Sequence, residues 1–88
     1  MKSKKAWERI KDNRMRWHGD IDYEKKIIRV NKAKKKNPKK GEIINTIVHE
    51  ETHRLHPKMW EKTVDKETAE KLKALSQVQK NKLYSRYQ

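Results

Sequence analysis

From Glu42 to Leu55 the chain has no glycine or proline, and the stretch carries His49-Glu50-Glu51-Thr52-His53. Ile44, Val48, Thr52 and Leu55 recur at i, i+4, i+8 and i+11, the spacing of one buried helical stripe. Pro57 pushes His56 out of the α region, so the predicted helix ends at about Leu55. On such a helix, residues four apart lie about 40° apart around the axis and one turn apart along it. His49 and His53 can therefore aim two imidazoles at one ion. Neutral imidazole suits Zn²⁺, which binds nitrogen at about 2.0–2.1 Å. Glu50 sits beside the first ligand, where a carboxylate reaches a water on the metal and not the metal itself, and can carry its proton to a leaving amine.

The chain has no cysteine, which excludes disulfides and every thiolate metal site and leaves His, Asp and Glu as ligands. A third ligand for the two histidines comes from His56, Glu61, Glu67 or Glu70. Proline is tolerated in the first turn of a helix, so a second helix is expected from near Lys58, with Val64, Thr68, Leu72 and Leu75 as its stripe, continuing toward Leu83. With Glu61 at 0° and about 100° per residue, that stripe falls between about −60° and +20°, Glu67 at about −120° and Glu70 at about 180°. Glu61 thus falls within the apolar stripe, where an unpaired carboxylate is costly and a metal is the simplest reason for it. His56 is the rival. It stands about 10.5 Å along the axis from His49, too far for an unbroken helix, but a break at Pro57 lets it swing in.

With 88 residues, 32% hydrophobic and 42% charged, any core is thin, and a chain this small needs a metal or a partner to hold it. One domain over 1–88 is expected. No stretch reaches the roughly 20 apolar residues of a membrane span, and no apolar run follows the basic N-terminus. The expectation is a cytoplasmic protein without membrane contact. The net charge of +13 is uneven: residues 1–40 hold 16 Lys and Arg against 5 Asp and Glu, residues 41–88 hold 9 against 7. Such a field favours polyanions, and a nucleic acid or nucleoprotein partner is weighed against a merely solvated surface. Lys34, Lys35, Lys36, Lys39 and Lys40 are the candidate phosphate contacts.

The remainder reads as α+β. A basic helix is predicted over 3–15, with Trp7 and Ile10 on one side. Two antiparallel strands are predicted over about 16–22 and 26–31, joined by a polar turn at Asp22–Lys26, with 26–31 the strand to hold an extended peptide. A basic loop follows over 32–41, and the tail 84–88 is expected to fray. Trp7 and Trp17 are assigned to the core, Trp60 to packing on the first helix, His18 to a strand surface and Tyr23 to the hairpin turn.

The run from Thr46 to Val64 resembles small zincin-like proteins of bacterial or phage type. Those read H-E-x-x-H, a proline four residues after the second His, then P-x-x-x-E-x-x-V, a register that Pro57, Glu61 and Val64 match. The resemblance implies a minimal zincin-like domain, with His49, His53 and Glu61 as zinc ligands and Glu50 as general base, as in gluzincins. His56-Pro-Lys-Met-Trp60 is more faintly similar to SprT-like peptidases, whose connector is longer than Arg54-Leu55. Two functions are carried forward: a zinc peptidase acting on protein or peptide substrates, and a basic nucleic-acid-binding or adaptor protein with a structural or vestigial zinc.

Overall fold

The structure, a computed structural model, describes residues 6–33 and 39–87. It is α+β. Strands β1 (Glu8–Lys11), β2 (Gly19–Asp22) and β3 (Ile27–Val30) precede helices α1 (Lys40–Leu55), α2 (Glu61–Ala74) and α3 (Gln77–Ser85). The sheet order is β1-β3-β2, with β2 antiparallel and β1 parallel to β3.

The hairpin forms at the polar turn that the sequence predicts. Lys25 N–H donates to Asp22 Oδ1 at 2.9 Å, and Lys26 adopts φ 55° to close the turn. Along β3 the side chains alternate, Ile28 and Val30 buried and Ile27 and Arg29 half-buried, as one covered sheet face requires. Arg29 stands opposite Asp20 in the ladder and pairs with it through both carboxylate oxygens. Asn31 is buried just beyond β3. Its side-chain amide donates to the Met15 carbonyl at 2.9 Å and the Trp17 carbonyl at 3.3 Å, fixing the 12–18 loop against the sheet.

Where the expected helix over 3–15 is described, it is a strand over Glu8–Lys11 followed by a loop, and the sheet is mixed in place of the two antiparallel strands expected. Trp7 and Ile10 are three apart, which suggests a helical face. In the structure Trp7 packs on the core and Arg9 reaches α1. Since β3 has partners on both sides, the 26–31 strand has no free edge; the edges of the sheet are β1 and β2.

Helix α1 lies at the centre. Ile43 and Ile47 join Ile28, Val30 and Tyr87 in the core against the sheet. Ile44, Val48 and Thr52 are also buried, and Thr52 Oγ1 accepts from Lys71 of α2 at 3.2 Å. Leu55, the last position of the predicted stripe, is 53% exposed because the helix ends there. His56 leaves the helix at φ −134°, as the following proline dictates. A turn over Pro57–Met59 delays α2 to Glu61, later than the expected Lys58. The second helix also stops short of Leu83, because Ser76 and Gln79 form a reciprocal capping box that starts α3.

Where it is described, over 84–87, the tail does not fray. Tyr87 is fully buried and donates to Glu51 Oε2 at 2.6 Å, beside Arg9 Nε at 2.6 Å, while Arg54 Nε donates to Glu51 Oε1 at 2.8 Å. Burial alone would raise the Glu51 carboxyl. The hydrogen bonds from Arg9, Tyr87 and Arg54 outweigh it and hold that group at about 2. Two of the indoles also depart from expectation: Trp17 is 61% and Trp60 83% exposed. Trp60 is the residue before α2, where it stays in solvent while Val64, a turn further on, is buried. Among the described residues no helix is long and apolar enough to cross a membrane.

Candidate metal centre

The four-residue spacing works as helix geometry requires. His49 Nε2 and His53 Nε2 approach to 3.2 Å, with the rings edge to face. The turn at Pro57 reverses the chain so that Glu61, the first residue of α2, meets both. Its Oε1 lies 2.6 Å from His49 Nε2 and its Oε2 3.1 Å from His53 Nε2. Donors around a tetrahedral zinc at about 2.0–2.1 Å stand about 3.3 Å apart. The two imidazole nitrogens already stand at this spacing, while Glu61 presents a different oxygen to each ring and its 2.6 Å contact with His49 has to open from a hydrogen bond. Two nitrogens and a carboxylate, with no thiolate, are a donor set that zinc accepts.

Glu61 is not buried, contrary to the expectation that put it in the apolar stripe. Its side chain is 66% exposed, because it sits at the end of the helix, a turn beyond the core contacts of Val64 and Thr68. The stripe gave its direction correctly and its depth wrongly. His56 lies exposed at the end of α1, in the wall of a separate hollow with Leu55, Pro57 and Trp60. Among the described residues, the groups with one donor atom each close enough to share an ion are His49–Glu50–His53 and His49–Glu61–Asp65; His53 and Glu61 fall in different groups, joined through His49, and His56 is in neither.

Glu50 is 8% exposed, with Oε1 3.9 Å from His49 Nε2. Burial pushes its carboxyl up to about 7; His49 pulls against this, while Asp20 and Glu61 add to it. His49, Glu50 and Glu61 border a hollow of about 420 Å³ that Trp17, His18 and Gly19 also line. His18 is exposed, as expected, and still lines this hollow.

Three further residues shape the centre. Asp65 Oδ1 lies 3.2 Å from His49 Nδ1, the ring nitrogen turned away from His53. Its signal is in the sequence: Asp65 is four residues after Glu61, so both share one face of α2. Gly19 lets β2 approach α1, since a Cβ there would stand 2.7 Å from Thr46 Cγ2 and 3.0 Å from the Arg29 carbonyl. Tyr23 does more than fill a turn. Its hydroxyl donates to the His53 carbonyl at 3.1 Å, and burial, then Glu50 and Glu61, raise its pKa. Of the candidate basic residues, Lys39 and Lys40 are exposed at the start of α1, while Lys34, Lys35 and Lys36 lie outside the described residues.

No family model, no curated protein and no solved structure matches this chain.

Proposed function

We propose that the chain is a zinc-dependent peptidase of the cytoplasm, with His49, His53 and Glu61 holding the ion and Glu50 as its general base. The observation that carries this is the meeting of Glu61 with both imidazoles across the Pro57 turn. Zinc held by these residues supplies a Lewis acid, lowering the pKa of water at the ion to about 7. The chain's own part is positional and acid–base. Asp65 fixes the ring of His49 through Nδ1, setting its tautomer and direction. Glu50 accepts the proton of the attacking water and returns it to the amine as the C–N bond breaks.

The substrate backbone lies along the free edge of β2. Asn31 N–H donates to the His18 carbonyl, and Gly19 pairs with Val30, so the antiparallel alternation turns the amides of Gly19 and Ile21 outward. An extended peptide added there runs past the hollow that holds Glu50.

The test is metal content and hydrolysis measured together. Wild type should retain zinc and cleave an unstructured protein such as casein. Glu50→Gln should keep its zinc and lose about 10²–10⁴ in rate. Glu61→Ala should lose the metal and His56→Ala should keep it. A Glu50→Gln protein that hydrolyses as wild type does would overturn the peptidase assignment. Zinc retained with no hydrolysis in wild type would favour the second function, a basic binding protein with a structural ion. Zinc unchanged in Glu61→Ala would remove Glu61 as a ligand.

A further inference from the structure

At the far end of α1 from the metal centre, two lysines stand against one tyrosine and a third ends the neighbouring strand. Lys32 Nζ stands 3.7 Å from the centre of the Tyr84 ring and donates to the Tyr84 carbonyl at 2.9 Å. Lys40 Nζ stands 4.7 Å from the same ring and donates to Asn81 Oδ1 at 3.2 Å. Lys11 ends β1 opposite Val30, two residues before Lys32. Among the described residues none of the three pairs with a carboxylate. Asp12, next to Lys11, is 3.5 Å from Arg29 instead.

The backbone adds charge of the same sign. Helix α1 starts at Lys40, with Lys39 as its N-cap and no side-chain cap, so the positive end of the helix dipole falls among the lysines. Glu42, the acid of the first turn, is about 200° around the axis from Lys40. Burial, and then Lys11 and Lys40, lower the pKa of Lys32. Folding has concentrated positive charge here and left it without an internal counter-charge among the described residues.

We propose that this face binds the phosphodiester backbone of a nucleic acid, without reading its sequence. Phosphates are the partner that three ammonium groups and an uncapped helix start suit together. The groups are all lysines, point charges that lack the planar fork by which arginine reads guanine edges. The Tyr84 ring at this face is occupied by the lysines themselves, which leaves it no platform for stacking a base. Lys40 and His49 are nine residues apart, about 13.5 Å along α1 and half a turn around it, so this face is distinct from the metal centre. The inference does not depend on the peptidase assignment.

Fluorescence anisotropy decides it, using labelled duplex DNA, single-stranded DNA and an RNA hairpin titrated across a range of salt. The wild-type affinity should fall steeply as salt rises. Lys11→Gln, Lys32→Gln and Lys40→Gln together should lower the slope of log K against log salt by about 2–3 on the duplex, roughly 0.9 for each phosphate no longer neutralised. A control with the exposed α2 lysines replaced, Lys62→Gln, Lys66→Gln and Lys73→Gln, should keep the wild-type slope. Lys32 also holds the Tyr84 carbonyl, so circular dichroism checks the fold. If the triple variant fails to fold, Lys11→Gln and Lys40→Gln are read singly, each expected to lower the slope by about 0.9. An unchanged slope in the lysine variants, an equal loss in the α2 control, or binding of poly-glutamate but none of the three nucleic acids would each overturn the proposal.

Discussion

Asp65 holds its carboxylate 3.2 Å from Nδ1 of His49, on the opposite side of the ring from the nitrogen that meets His53 and Glu61. An imidazole anchored in this way keeps its orientation whether or not an ion is bound. Asp65→Ala is therefore expected to weaken zinc binding about 10–100-fold, read by competition with a chromophoric chelator, while the fold is retained. At this scale the sequence is legible wherever one helix sets the geometry. His49 and His53 follow from a four-residue spacing, and the direction of Glu61 follows from the stripe of its own helix. The hydroxyl of Tyr23 on the His53 carbonyl joins residues thirty apart, and no local spacing announces it.

Among the elements, the contact between β2 and α1 sets the distance across the candidate site. It depends on the missing side chain of Gly19, since any Cβ there meets Thr46 Cγ2 at 2.7 Å and the backbone at Arg29. Gly19→Ala should cost about 1–3 kcal/mol in urea unfolding, because the strand must move off the helix or the carbonyl must shift. The hairpin and α1 can be read from the chain because each has its own signal: a polar turn between apolar runs, and an unbroken helical stripe ended by proline. Strand β1 cannot. Four residues long and without a buried alternation of its own, it is a strand because β3 offers it an edge. The break between α2 and α3 does have a local sign, Ser76 three residues before Gln79, but the apolar positions running on to Leu83 mask it.

Across the whole molecule, a thin core is closed by residues far apart in the chain. Arg9 and Tyr87 both bind the Glu51 carboxylate in the middle of the metal-centre helix, and Tyr87 also fills the space between α1 and the sheet. Tyr87→Phe removes one hydrogen bond to a charged acceptor and should cost about 1.5–3 kcal/mol in urea unfolding. Tyr87→Ala should cost about 3–5 kcal/mol, enough to erase a cooperative thermal transition in a domain whose total stability is of the order of 5 kcal/mol. The charge asymmetry is legible from the sequence, but where it gathers is not, because Lys11, Lys32 and Lys40 are neighbours only after the sheet has formed.

Of the buried residues in the cluster against the sheet, all but Tyr87 are made by residue 47, and Leu83 and Tyr84, which pack against that cluster, also come late. A chain leaving the ribosome N-terminus first has made its sheet residues and both histidines long before the side chain that seals them exists. Until then the apolar face of β3 and the buried face of α1 stay open to water and to other chains. The fold thus waits on a residue made well after the candidate donors His49, His53 and Glu61, and a chain halted before Tyr87 carries all three on a scaffold that is not yet closed.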